Sequence, residues 1–173
     1  RTGFGKSLCY QFPATQFDGV TIVFSPLIAL MRDQVRILCQ KGIPAAYINS
    51  EQTKEENQEA IRRALNNEIK ILYIAPERMQ IPKFREEIAA QSQKNNFVLI
   101  AIDEAHCVSH WGHDSRPEYT QLAILKERFP NVPVIALTAT ADKVTRTDII
   151  EQLRLNNPQV FISSFDRPNL SLT

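Results

Sequence analysis

No apolar run in this sequence approaches the roughly 18 residues that a membrane-spanning helix needs, and no signal-peptide pattern opens it. Cysteine is scarce. Three residues (Cys9, Cys39, Cys107) make no even disulfide framework, which argues against a secreted disulfide scaffold and for a reducing, intracellular setting. Charge of one sign is lacking too: Lys and Arg number 20 against 19 Asp and Glu, for a formal net charge of +1. Any affinity for nucleic acid would therefore rest on a local basic face and not on bulk charge. Histidine and tryptophan are also scarce, with three and one, and all four fall inside one stretch, "DEAHCVSHWGHDSRPEY" (103–119). There is no internal repeat, low-complexity tract or obvious interior linker.

What is present describes an ordinary globular domain. Over 173 residues, 43% are hydrophobic and 23% charged, enough for one domain with a proper core. Five short runs rich in Val and Ile predict buried strands at 20–25, 45–49, 69–75, 97–103 and 132–139, with a sixth at 159–164. The runs are mostly continuous and not alternating, as in parallel strands covered on both faces. Helical patterns lie between them. Ser25-Pro26 predicts an N-cap and first helical position, with Leu27, Leu30, Met31, Val35 and Leu38 spaced as a core face. Thr53 with Glu56 predicts a capping box. Further helices are expected over 82–92, 118–128 and 142–153. Such alternation gives an α/β fold whose post-strand loops share one edge, where ligands bind such sheets.

Two segments carry chemistry. In "TGFGKS" (2–7), Gly3 and Gly5 permit a tight loop whose N–H groups turn onto phosphate oxygens, followed by a short helix ending before Pro13. Lys6 would reach the β- and γ-phosphates, and the Ser7 hydroxyl would ligate Mg²⁺. The alternative is a glycine-rich turn that merely caps a helix. The opening glycine and preceding strand of the full phosphate-loop pattern would lie before Arg1.

The second segment admits several readings. Asp103 ends the apolar run "FVLIAI", so its carboxylate should emerge at the ligand-binding edge and hold Mg²⁺, with Glu104 polarising a water beside the γ-phosphate. A zinc site from His106, Cys107, His110 and His113 is the competing reading, although it lacks the Cys-x-x-Cys or His-Glu-x-x-His order of common sites. A Cys107–His nucleophile pair is a third, and a small buried hydrophobe is the plain reading of Cys107.

The strings "TGFGKSLCYQ", "SPLIALMRDQV", "LYIAPERM", "DEAHCVSHWGHDSRPEY", "ALTATA" and "SSFDRPNL", in this order, resemble the RecQ family of superfamily 2 DNA helicases over nearly the whole chain. The resemblance implies an α/β, RecA-like P-loop NTPase domain with a mainly parallel sheet and helices on both faces. It implies a 3′-to-5′ DNA-unwinding motor of repair and recombination, driven by ATP with Mg²⁺ in a cleft between two lobes. The chain, 1–173, would be a piece of the first lobe, truncated at its N-terminus, with 165–173 beginning the connection to the second. Such a piece alone is expected to hydrolyse ATP poorly. Partners would be single-stranded and forked DNA and the second lobe of the same chain, with no membrane. A bacterial cytoplasm and a nucleus fit equally.

Residue by residue, the resemblance assigns Thr2, Gly3, Phe4, Gly5, Lys6 and Ser7 to ATP, and Ser7 and Asp103 to Mg²⁺. Lys6, Asp103 and Glu104 are its catalytic set. His106, Thr138 and Thr140 couple nucleotide to DNA. Segment 107–119 corresponds to an aromatic-rich DNA-sensing loop, with Trp111 and Arg116 facing DNA, and Ser25 lies on the DNA path. Bare chemistry agrees for base stacking on Trp111 and a guanidinium on phosphate. Against these stand plainer readings: Thr138 and Thr140 terminating a strand, and Ser25 capping a helix. For Arg78 a structural ion pair with a neighbouring carboxylate and a DNA contact are both open.

Ser115 departs from the family pattern, which carries phenylalanine there. Losing that ring should weaken DNA stimulation of ATP turnover while leaving ATP binding little changed. Ser115→Phe in the full-length protein is expected to raise DNA-stimulated turnover at unaltered ATP affinity; stimulation that stays the same contradicts this.

Overall fold

The computed structural model describes residues 4–90, 94, 96–111, 115–139, 142–155 and 159–162. Six strands form one parallel sheet: β1 (Val20–Phe24), β2 (Ala45–Ile48), β3 (Ile71–Ile74), β4 (Phe97–Ile102), β5 (Val134–Thr138) and β6 (Gln159–Ile162), in spatial order β2-β3-β1-β4-β5-β6. All five strand pairings are parallel. The helices are α1 (Phe4–Gln16), α2 (Ile28–Gln40), α3 (Lys54–Leu65), α4 (Pro82–Ala90), α5 (Ile124–Arg128) and α6 (Lys143–Gln152). Short 3₁₀ turns occupy Pro76–Gln80, Ala105–Val108 and Pro117–Ala123.

The continuous strands are explained by two cores. Val20, Ile22 and Phe24 of β1 point into the layer that holds Ala60 and Ala64 of α3, Phe84 and Ile88 of α4, and Ile149 of α6. Val23, from the same strand, points the other way, with Tyr10 and Ala14 of α1 and Met31 and Leu38 of α2. Both faces are therefore apolar and both are covered, so alternation disappears from the sequence. The capping box opens α3 as expected: Glu56 N–H donates to Thr53 Oγ1 at 3.0 Å, and Thr53 N–H to Glu56 Oε1 at 2.9 Å.

Three local expectations are corrected. First, α1 does not stop before Pro13 but starts at Phe4, inside the glycine-rich motif, and continues to Gln16. Pro13 removes the N–H that would bond the Cys9 carbonyl. Burial of Tyr10 and Ala14 on the sheet holds the helix together through it. Second, α2 begins at Ile28, with Leu27 at its cap and no side-chain cap bond. Ser25 lies earlier, still on the sheet, where its N–H donates to the Ile74 carbonyl at 3.2 Å. Its Oγ instead accepts Leu27 N–H at 3.2 Å, forming a serine turn ahead of the helix. In the resulting register Met31 and Leu38 are buried while Leu27 and Leu30, expected in the core, are exposed. Third, 117–123 is a 3₁₀ helix and only 124–128 is α-helical. Tyr119, Leu122 and Leu125 are all buried at three-residue spacing, which suits the tighter turn.

The topology also locates a crevice. From β1 the chain moves outward through α2 to β2, whereas from β4 it moves in the opposite direction to β5. The carboxyl ends of β1 and β4 therefore flank a switch point, the place where open parallel sheets bind ligands. Helix α1 packs on β1 and β4 and returns into β1 through residues 17–19, so it runs against the strands. Its first turn consequently lies toward the sheet's carboxyl edge.

Gly19 makes that return possible. Its φ is +138°, and a Cβ there would sit 2.5 Å from Val98 Cγ1 and 2.6 Å from the Asn96 carbonyl oxygen. The same carbonyl accepts Val20 N–H at 2.8 Å, so it has little freedom to retreat. Gly19→Ala is expected to cost about 2 kcal/mol or more in urea unfolding; a loss below about 0.5 kcal/mol would contradict the packing described.

Candidate nucleotide and nucleic-acid site

The carboxyl end of β4 sets the site. The Asp103 N–H donates to the Phe24 carbonyl at 2.8 Å, extending the β1–β4 ladder one residue beyond the strand. The chain then turns sharply. Glu104 adopts a left-handed conformation, φ 53° and ψ 44°, which is uncommon for a residue with a side chain. Asp103 Oδ1 accepts Glu104 N–H at 2.9 Å and supports the turn. From below, the Tyr119 hydroxyl donates to the Asp103 carbonyl at 3.0 Å. Burial, with smaller contributions from the charges of Cys107, Asp103 and Glu104, pushes the Tyr119 pKa well above its ordinary range, so the phenol stays a donor. Two partly buried carboxylates thus stand side by side at the switch point, held by backbone and not by chance rotamers.

His106 links this pair to the next strand. Its Nδ1 lies 3.1 Å from Oγ1 of Thr138, the buried last residue of β5, while its Nε2 lies 3.5 Å from Glu104 Oε1. Of the three coupling residues expected from sequence, His106 and Thr138 are therefore in contact. Thr140 lies outside the described residues.

The segment after His106 divides by exposure. Cys107, Val108 and Ser109 are buried, as is Tyr119, so this part of the expected DNA-facing loop belongs to the core. Trp111 is 71% exposed, and Ser115 and Arg116 are also on the surface. Arg116 N–H donates to the Cys107 carbonyl at 2.9 Å, pinching the base of the loop. Positions 112–114, including His113, lie outside the described residues.

A residue that sequence reading missed secures the loop. Asp148 of α6 accepts the Ser109 hydroxyl at 2.7 Å and the His110 N–H at 2.9 Å on Oδ2, and Gln152 Nε2 at 3.2 Å on Oδ1. Ser109 Oγ in turn accepts Trp111 N–H at 3.0 Å. A signal did exist. Asp148 falls between Thr145 and Ile149, both buried, so an acidic residue occupies the inward register of its helix.

The remaining candidates are placed as follows. Phe4, Gly5, Lys6 and Ser7 form the first turn of α1, where backbone N–H groups have no intrahelical acceptor. Thr2 and Gly3 lie outside the described residues. Ser25 is buried at the carboxyl end of β1 and its oxygen is engaged by Leu27, which leaves Trp111 and Arg116 as the exposed members of the expected DNA-facing set. The Arg78 guanidinium lies over the Phe84 ring, 5.7 Å from its centroid.

The donor set distinguishes between metals. Among the described residues no three His, Cys, Asp or Glu side chains gather as a metal cage. His106 turns to Thr138, Cys107 is buried in the core and His110 is exposed, so these three do not converge as the zinc reading requires. One or two carboxylates at a strand end do fit Mg²⁺, which takes few protein ligands and completes its shell with water and phosphate oxygens.

A family model described as "DEAD/DEAH box helicase" matches residues 1–148. Among curated proteins, the chain is 54% identical over 172 residues to "ATP-dependent DNA helicase RecQ" of Pasteurella multocida (strain Pm70), an alignment covering 99% of this chain and 27% of that protein. It is 46% identical to the protein of the same name from Bacillus subtilis (strain 168), covering 98% of this chain and 28% of the other. The chain thus spans about a quarter of the length of these relatives. Among solved structures, a hypothetical ATP-dependent RNA helicase from Sulfolobus tokodaii superposes with a TM-score of 0.68 at 17% identity, covering 94% of this chain and 46% of that one. At that identity the likeness concerns the fold alone.

The Asp148 carboxyl has a measurable signature. Burial raises its pKa, but hydrogen bonds from Ser109, Gln152 and the His110 amide outweigh burial and leave it below the ordinary 3.8. A depressed folded-state value stabilises the fold above the unfolded pKa, and that contribution is lost as pH falls through the lower folded one. Carboxyl ¹³C titration of Asp148 is expected to give a midpoint under 3.8. A midpoint at or above that value would mean that the bonds do not form in solution.

Proposed function

We infer, since the chain belongs to the DEAD/DEAH box helicase family, that it is the first motor lobe of an ATP-dependent DNA helicase similar to RecQ, part of a 3′-to-5′ unwinding enzyme of DNA repair and recombination. The observation that carries this reading is the turn at the end of β4. It presents Asp103 and Glu104 at the switch point and joins them through His106 to Thr138 on β5.

The roles follow from chemistry and position. The first-turn N–H groups of α1, with Thr2, Gly3 and Lys6, receive the phosphates of ATP. The Ser7 hydroxyl and the Asp103 carboxylate hold Mg²⁺, and Glu104 orients the attacking water. Bound Mg–ATP supplies the phosphoanhydride bond whose cleavage drives movement. A shift at Glu104 reaches β5 through His106 and Thr138, and Thr140 lies two residues farther along the same connection. Trp111 offers a face for a base of single-stranded or forked DNA, and Arg116 a guanidinium for its phosphate. A second lobe of the same chain would close the cleft and complete the charge stabilisation. DNA as substrate is consistent with an intracellular location, and no helix among the described residues is long and apolar enough to cross a membrane.

Lys6→Ala in the full-length protein tests this. Loss of the phosphate-contacting ammonium is expected to lower ATP turnover by about a hundredfold or more and to abolish fork unwinding. Unwinding that survives the substitution would overturn the motor reading in favour of a module that uses nucleotide only as a switch.

A further inference from the structure

The loop that bears Trp111 is fastened by a buried carboxylate. Asp148 and Ser109 are 8% and 0% exposed, and the carboxylate receives three donors, two of them from the loop itself. Burying a charge is costly unless it is hydrogen-bonded, and an inward helix position would more cheaply hold an apolar residue. Two of the three donors are the Ser109 hydroxyl and the His110 amide, so most of the carboxylate's contacts lie in the loop and, among the described residues, none in the sheet. The connection extends one step further, because Ser109 Oγ accepts the Trp111 N–H. Two hydrogen bonds therefore separate α6 from the backbone of the most exposed aromatic side chain among the described residues.

The attachment is double. His106, at the start of the segment, is bonded to Thr138 at the end of β5, and α6 is the next element after β5. Residues 106–111 are thus fixed at both ends to consecutive parts of one β5–α6 unit. A hydrogen-bonded path therefore runs from the Trp111 backbone to Asp148 on α6, and the start of the same segment is bonded to Thr138 on β5.

We propose that Asp148 is a positioning residue that holds the Ser109–Trp111 arm in register with β5–α6, so that a base stacked on Trp111 changes the geometry at His106 and Glu104. Asp148 then sets the coupling between DNA and ATP turnover, and not the affinity for either. The inference rests on the reading of Trp111 as the stacking residue.

The test uses the full-length protein with oligo-deoxythymidine as the DNA. Asp148→Asn removes the charge and leaves one acceptor oxygen where the carboxylate offers two, so the bonds to Ser109 and His110 lose their charge assistance. Turnover without DNA is expected to stay within about twofold and the KM for ATP to hold, while kcat at saturating DNA drops about tenfold, the scale of one lost charge-assisted hydrogen bond. Ser109→Ala should lower stimulation in the same direction, and adding Asp148→Asn to Trp111→Ala should lower it no further than Trp111→Ala alone. Full stimulation of a folded Asp148→Asn variant, or an equal loss with and without DNA, overturns the proposal. If Asp148→Asn does not fold, Ser109→Ala decides, and undiminished stimulation there overturns it. Should Trp111→Ala leave stimulation intact, the stacking reading falls and takes the proposal with it. Should only Trp111→Ala lose stimulation, the stacking reading stands and the role of Asp148 falls alone.

Discussion

The pairing of β4 with β1 is the constraint on which the rest of this structure depends. Phe24 lies opposite Ile102, and the next amide, that of Asp103, is still bonded to the Phe24 carbonyl. That bond fixes where the strand stops and therefore where the carboxylates stand. Side chains alternate across a sheet, so a slip of one residue would send Ile102 out of its core and turn the acidic pair to the opposite face. Both faces of β4 are buried, which makes such a slip costly. The apolar core thus positions a polar site.

Around that fixed point the molecule ties together three segments distant in sequence. Tyr119 holds the Asp103 carbonyl, His106 meets Thr138, and Asp148 receives Ser109 and His110. Each contact is a hydrogen bond between buried or partly buried groups, where an unmade bond is expensive. Glu104 carries an uncommon backbone conformation within this frame. Asp103 before it and His106 two residues after it are bonded to other elements, which is the condition under which such a conformation persists. Nucleotide chemistry on one side and a nucleic-acid contact on the other would then share a single rigid segment of a few residues.

Much of this is legible in the sequence, and for identifiable reasons. Six strands are readable because two-sided burial leaves continuous Val and Ile runs, and the capping box at Thr53 and Glu56 because its logic is local. The acidic pair is readable because carboxylates that directly follow a buried strand have to surface where that strand leaves the sheet. Elsewhere local rules lose to tertiary ones. Ser25 has the chemistry of an N-cap, yet its oxygen closes a turn onto the Leu27 amide and the helix starts only at Ile28. Pro13 should end a helix, yet Tyr10 and Ala14 are buried firmly enough to carry α1 to Gln16. The histidine cluster has the composition of a metal site, but the fold turns His106 and Cys107 in different directions.

The sequence by itself determined the order of strands and helices, the apolar faces and the identity of the reactive side chains, because each of these depends on near neighbours along the chain. Tertiary structure alone decided which side chains meet. Nothing in the spacing of Ser109 and Asp148, 39 residues apart, announces a hydrogen bond, and nothing in Trp111 tells that its amide leans on that pair. Such contacts are set by the packing of α6 against the loop, a consequence of how two apolar surfaces fit. That packing resolves a crowd of titratable residues after an apolar run into a carboxylate pair, a buried anchor and one exposed ring.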